Sequence, residues 1–338
     1  MKRASLKDVA KEAGISPSAV SFILNGRGEE MRISNTLQKK VKRIADKLGY
    51  MPNQVAVSLR TGQSRLIGLV VESISGHFFG ILARHIEEQA ERAGYKLLYS
   101  STENKGQRGV EILRMFSQHQ VDGFLITPAK GMEKEIRALA KEKKPLVLID
   151  SYFPSESISH VAVDNYKGER MGMDHLFERG YENIAFVTVD LPLVQMRERT
   201  RAFRESLESR KFKKTDEQIL EVPFHSTSEE VCSYVRKFLQ SRKSTDAVFF
   251  STNYLGIPGL DCIQQEGFQM PHEMAMICFD DHDLFRLFPR GITAIRQPIE
   301  EIAETAFTLL MKQIKGENYK KDSVQVKLPP RLITRGST

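Results

Sequence analysis

Hydrophobic positions at the start of the chain recur at helical spacing. Leu6, Val9, Ala10 and Ala13 fall on one face of a short segment, the i, i+3, i+4 stripe of an amphipathic helix. Ser5 is placed to cap it, with Asp8 three residues later, and Gly14 to end it in the left-handed conformation. Ile15 fills the turn. Ser16 caps a second helix with Pro17 at its first position, where the missing N–H costs nothing. Val20, Ile23 and Leu24 form its inner stripe, and Asn25-Gly26 stops it. A third stripe, Leu37, Val41, Ile44, Ala45 and Leu48, runs inward from a Ser34 cap and closes at Gly49. Three small helices can bury one shared core, and the first two, joined by a three-residue turn containing Gly, form a helix-turn-helix.

From Leu66 onward the period changes. Strand-like runs at Leu66–Val71, Lys96–Ser100, Gly123–Thr127, Leu146–Asp150 and His160–Asp164 alternate with helical stretches at about Phe79–Ala93, Val110–His119 and Glu133–Lys143. A second series places strands at Ile184–Val189, Ile219–Val222, Ala247–Ser251 and Ala275–Phe279. Its helices lie near Lys167–Arg179, Thr200–Ser209, Glu229–Gln240 and Gly259–Glu266. The segment Ala294–Pro298 leads into a long amphipathic helix, Ile299–Ile314. Alternation of this kind builds parallel sheets covered by helices, and two successive series predict two lobes.

Charge divides the 338 residues in the same place. Residues 1–63 hold 12 Lys/Arg against 5 acidic residues, so the whole formal excess of +7 lies there and the remainder is balanced. A basic headpiece on a neutral body is the pattern of a polyanion-binding module joined to something else; a merely solvated basic surface is the plainer reading. In a helix-turn-helix the start of the second helix enters the major groove. Ser16, Pro17, Ser18, Ser21, Phe22 and Asn25 are therefore candidates for DNA contact. Ser18 can bond a base edge or a phosphate, and Phe22 either meets a thymine methyl or bends back onto the core. Arg27, Lys39, Lys40 and Arg43 suit phosphates.

Between headpiece and body, residues 52–62 form a short helical candidate with Asn53 as cap and Gly62 as stop. Its length is too small for a helix stable alone in water. "LKDVAKEAGISPSAVSFILNG" followed by "KLGYMPNQVAVSLRTGQSRLIGLVV" resembles the lactose-repressor (LacI/GalR) family of bacterial transcription regulators, and the resemblance runs nearly to the closing "LPPRLITRGS". It implies a headpiece at 1–50, a hinge at 51–63 and an effector-binding and dimerisation body at 64–338. The body would be two-lobed and similar to periplasmic binding proteins, with one lobe at about 64–163 and 295–325 and the other at about 164–294 and 326–338. It further implies that paired hinges sit over the minor groove, with Asn53, Ala56, Leu59 and Arg60 on DNA and Leu59 as the wedge. Phe22 stands where the family often has Arg, which leaves the preferred operator open.

Open α/β sheets bind ligands at the carboxyl ends of their strands. By the resemblance, positions matching Asp150, Arg199, Asn253 and Asp280 contact an effector, and those matching Phe78 and Phe224 stack on it; Phe79 is a further candidate. Carboxylate and guanidinium groups suit vicinal hydroxyls, and aromatic faces suit C–H patches. Each residue also has a plainer reading: Phe78 and Phe79 as core, a strand-end Asp as a helix cap, and Arg199, in the run Arg197-Glu198-Arg199-Thr200-Arg201, as a surface ion-pair partner. Asn253 stands where the family usually has Asp, Tyr254–Pro258 replaces a more regular helix start, and His77 stands where a smaller residue is frequent.

Enzyme motifs are absent: there is no G-x-S-x-G elbow, Walker A or H-E-x-x-H run. The three cysteines, Cys232, Cys262 and Cys278, make neither a disulfide framework nor a metal knuckle. No cofactor and no metal are expected. The N-terminus has no apolar signal-peptide stretch and no run approaches a membrane span, so a cytoplasmic protein is expected. The chain ends without heptads, which predicts a homodimer. The resulting expectation is a non-enzymatic, effector-controlled repressor whose partners are a near-palindromic double-stranded DNA and a small molecule. The alternative is a sugar- or nucleotide-processing enzyme or a plain ligand-binding protein.

Overall fold

The computed structural model describes residues 4–51, 58, 61–212, 215–317 and 323–338. Asn53, Ala56, Leu59 and Arg60 lie outside the described residues. The chain divides into two compact units, Met1–Ser64 and Arg65–Thr338.

The first unit contains helices α1 (Leu6–Ala13), α2 (Pro17–Leu24) and α3 (Asn35–Lys47). Ser5 and Asp8 form a reciprocal capping box on α1, and Gly14 ends it at φ 73°. The Ser16 side chain accepts from the Ala19 amide, and Ser34 accepts from Leu37. Val9, Ala10, Ala13, Val20, Ile23, Val41 and Ala45 make the shared core, with Leu37 and Ile44 at its edge. Leu48 does not join it. It is the C-cap of α3 and is exposed, and Tyr50 packs on the core instead. The stripe runs one residue past the point where the helix ends.

The second unit holds two parallel-dominated sheets, the two-lobed α/β body that the alternation predicts. The first has the order β2-β1-β3-β4-β5-β11: Lys96–Ser101, Leu66–Val71, Gly123–Ile126, Leu146–Ile149, His160–Val163 and Gln325–Leu328. The second has the order β7-β6-β8-β9-β10-β12: Ile219–Pro223, Ile184–Asp190, Ala247–Phe250, Ala275–Phe279, Thr293–Arg296 and Arg331–Ile333. Among the described residues, only β12 is antiparallel to its neighbour, β10. Helices α4 (His77–Arg92), α5 (Gly106–Gln118), α6 (Glu133–Lys141) and α12 (Ile299–Ile314) cover the first sheet. Helices α7 (Asn165–Glu178), α8 (Val194–Ser209), α9 (Ser228–Gln240), α10 (Asn253–Gln265) and α11 (Asp283–Leu287) belong with the second. The chain passes between lobes after Val163, after Arg296 and after Leu328. The expected crossings near 294/295 and 325/326 would each have cut a strand, β10 and β11, whose residues pair as units. Fully buried strands such as β3, β4, β8 and β9 are apolar throughout because helices cover both faces.

Two helices start six residues earlier than their patterns suggest. α8 begins at Val194, not Thr200, so Arg199 lies in its second turn. α10 begins at Asn253, not Gly259, and carries Pro258 inside it. Pro258 has no N–H for the bond back to Tyr254, yet tertiary packing holds the helix. A Cβ on Gly256 would fall 2.5 Å from the Cys278 sulfur, and one on Gly259 would fall 2.2 Å from the Phe250 ring. The glycines let the helix backbone lie directly on β8 and β9.

Candidate functional site

In the first unit, Pro17 and Ser18 are exposed at the amino end of α2, and Ser16 spends its hydroxyl on the cap. Ser21 and Asn25 are tied to each other, the Asn25 amide donating to the Ser21 hydroxyl at 3.1 Å. Phe22 is half-buried, and the Arg27 guanidinium lies 5.6 Å above its ring. Arg27 also donates to both carboxylate oxygens of Glu30, at 2.8 and 2.7 Å. Lys40 is exposed and donates one hydrogen bond to the Ala13 carbonyl at the end of α1, with further N–H donors left for a phosphate.

That Arg27–Glu30 pair competes with any phosphate. Exposed pairs are weak, so the competition is winnable, but it subtracts from binding. Glu30→Gln is expected to tighten binding to any duplex and to steepen the dependence of log Kd on log salt by about one counterion. Fluorescence anisotropy across a salt series checks this; an unchanged slope with unchanged affinity would show that Arg27 never meets DNA.

In the second unit, the carboxyl ends of both sheets surround a cavity of about 370 Å³, within the usual size of small-molecule sites. Phe78, Phe79, Asp150, Arg199, Phe224, Asn253 and Asp280 all line it. Asp150 follows β4 and Asp280 follows β9, at matching places in the two sheets. Both hold left-handed backbones, φ 67° and 71°, a conformation Asp tolerates better than most residues. Both amides bond the next strand, Asp150 to Val161 at 3.0 Å and Asp280 to Ile295 at 2.9 Å. Neither is a helix cap.

Arg199 is 1% exposed, which overturns its reading as a surface residue. It donates to Asn165 Oδ1 at 2.9 Å and to the Ser251 carbonyl, lies 3.5 Å from Asp280 and stacks 3.5 Å above the Phe279 ring. Phe79 is mainly core: it is 7% exposed and sits edge-on to Phe78, ring centres 5.0 Å apart. Phe224 is half-buried and edge-on to Tyr254 at 6.0 Å.

Several lining residues escape the sequence reading: Glu72 after β1, Glu103 after β2, Gln195 on α8, Gln297 after β10, and His282, which faces His77. The two imidazoles, one from each lobe, have ring centres 4.1 Å apart. Burial, and then repulsion from Asp150, pushes the Glu72 carboxyl up to about 8. Burial also raises Asp150 to about 7, against the opposing pull of Arg199. Burial holds the His282 imidazole below its usual range, helped by His77. Glu169 on α7, fully buried with both carboxyl oxygens unpartnered, is raised well above the normal carboxyl range by burial. Among the described residues, no cluster of His, Cys, Asp and Glu is arranged to hold a metal ion, and no helix is long and apolar enough to cross a membrane.

Comparison with known proteins is consistent across both units. Residues 5–53 match the family described as bacterial regulatory proteins, lacI family, and residues 173–338 match the periplasmic binding protein-like domain. The HTH-type transcriptional repressor PurR of Aliivibrio fischeri (strain MJ11) is 28% identical over 336 residues, covering 99% of this chain and 98% of that one. Catabolite control protein A of Priestia megaterium is also 28% identical, over 99% of both chains. Among solved structures, the lac repressor dimer bound to operator and the anti-inducer ONPF superposes with a TM-score of 0.87 at 21% identity, over 100% of this chain and 99% of that one. The transcriptional regulator CelR–cellobiose complex gives 0.73 at 23% identity, over 99% and 100%. The chain joins the helix-turn-helix domain of the lacI family of bacterial regulatory proteins to a periplasmic binding protein-like domain.

Proposed function

We infer that this protein is a sequence-specific DNA-binding transcriptional repressor, controlled by a small molecule held between the lobes of its body. It acts as a homodimer in the cytoplasm, without catalysis, on a near-palindromic operator. The observation that carries the reading is the pairing, in one chain, of a capped helix-turn-helix with a cavity ringed by strand ends from two sheets. Ser18 and Phe22 on α2 are the proposed base readers, Arg27 a phosphate contact, and Leu59 the minor-groove wedge. Effector binding changes the lobe angle and so biases whether the two hinges can meet, a coupling of about 1–3 kcal/mol.

Selection from a random duplex pool, at a stated near-physiological salt, tests the reading. It is expected to enrich a site with two inverted half-sites about one helical turn apart, or a multiple of that. Uniform retention of all duplexes would remove the regulator reading. Turnover of a sugar or nucleotide by the purified protein would favour the enzyme.

A further inference from the structure

We propose that the cavity of the body is built for a cationic ligand, a small amine-bearing polyol such as an amino sugar, and that it rejects phosphorylated and carboxylated ones. The inference rests on the effector reading above and narrows it to a chemical class.

Four carboxyl groups line the cavity: Glu72, Glu103 and Asp150 from the first lobe and Asp280 from the second. One guanidinium faces them, and it is already committed. Arg199 is held by Asn165, the Ser251 carbonyl, Asp280 and the Phe279 ring, at 1% exposure. Among the described residues, no ion pair reaches Glu72, Glu103 or Asp150. Asp150 accepts from the Gln195 amide at 3.1 Å, and Glu103 from the Ser101 hydroxyl at 2.8 Å. These are neutral donors, so neither carboxyl has a paired countercharge when it ionises.

Two further acceptors stand at the same wall. Gln195 and Gln297, 3% and 6% exposed, each turn the amide nitrogen to an aspartate, Asp150 and Asp280 respectively. Their carbonyl oxygens, Gln195 Oε1 and Gln297 Oε1, have no partner. A buried acceptor without a donor is unfavourable, so a ligand rich in donors satisfies both oxygens. Asn253 Nδ2 is an unpartnered donor in the same lining, and His77 Nδ1 an unpartnered ring nitrogen that donates or accepts according to its tautomer, which suits hydroxyl groups elsewhere on the ligand. Phe78 and Phe224 offer ring faces for its C–H surface.

The sign of the field follows. Burial favours the protonated forms of Glu72 and Asp150, so their ionisation calls for a countercharge; a neutral ligand supplies none, and an anionic one adds like charge beside them. An ammonium group supplies the missing partner to both carboxylates and to the free amide oxygens at once.

Thermal unfolding of the full chain, in matched triplets of cation, neutral compound and anion, tests this. The triplets are glucosamine, glucose and glucose 6-phosphate; galactosamine, galactose and galactose 6-phosphate; and putrescine, 1,4-butanediol and succinate. At about 5 mM and mildly alkaline pH, at least one amine is expected to raise the midpoint by about 4 °C. Its neutral counterpart should act less, and the anion not at all. Glu72→Gln should collapse the gap between cation and neutral compound. A neutral or anionic member outranking its amine overturns the inference, as does a flat response in every triplet. If that neutral or anionic compound also alters retention on the enriched duplex, the effector reading stands while the charge assignment falls.

Discussion

Replacing Arg199 with alanine is expected to lower the stability of the body by about 3–5 kcal/mol, measured by urea unfolding of the full chain. Arg199 links three pieces of the second lobe: Asn165 at the start of α7, Ser251 at the end of β8, and Asp280 after β9. Removing it strips the compensating charge from Asp280, which is itself largely enclosed, and leaves the Phe279 ring without its stacked partner. It also deepens the isolation of Glu169, whose raised pKa Arg199 now opposes. Lysine should not rescue it, because an ammonium lacks the planar fork that reaches Asn165 and the Ser251 carbonyl while stacking on the Phe279 ring. The double change Arg199→Met with Asp280→Asn should recover much of the loss, since two apolar or neutral groups of similar volume do not strand a charge. A loss below about 1 kcal/mol for Arg199→Ala would mean that the guanidinium is no structural hub and is free for a ligand. That result would also weaken the argument for a cationic effector.

Legibility of the chain followed the strength of local signals. β1, β9 and α12 end where their apolar runs end, because unbroken Val/Ile/Leu stretches and a clean 3.6 stripe leave no competing reading. α8 and α10 were misplaced at their amino ends for different reasons. Val194–Arg199 carries two arginines, a glutamate and a glutamine, so its buried side is masked by charge that turns inward as well as outward. Asn253–Pro258 holds a glycine and a proline, which local propensity reads as loop; close packing on β8 and β9 overrides it. The cavity was partly legible. The rule that ligands gather at strand carboxyl ends placed Asp150 and Asp280 correctly on its wall. The same rule applies to Glu72 and Glu103, each one or two residues past a strand, but an acid beside Ser73 or Asn104 looks like an ordinary solvated loop residue. Gln195 and Gln297 carry no signal in sequence at all. Their role appears only when an amide is found facing an aspartate from another element.

The ligand-free protein is expected to lose about 2–3 kcal/mol of stability between about pH 7 and about pH 9, roughly one proton held across two pH units. The groups responsible are buried carboxyls that the fold keeps protonated: Glu72, raised to about 8, Asp150, raised to about 7, and Glu169, raised well above its usual range. In the unfolded chain all three lose their protons in the ordinary acidic range. Between that range and their folded pKa the native state binds more protons than the unfolded state, so stability falls as pH rises. The fall levels off once the folded groups ionise. Neutral pH is the right starting point, because burial also lowers His160, His175 and His282. Those histidines cost stability only as pH drops below their unfolded value, about 6.5. Paired carboxylates such as Asp281 and Glu266, lowered in the fold, lose their contribution only in acid. Denaturant unfolding at several pH values should show the slope, and Glu72→Gln and Glu169→Gln should each flatten part of it. A profile that rises or stays level over this window would mean that Glu72, Asp150 and Glu169 are already ionised in the folded protein. A stabilising amine ligand should flatten the part of the slope that comes from Glu72 and Asp150, because it favours their charged forms, while Glu169, which does not line the cavity, keeps its part.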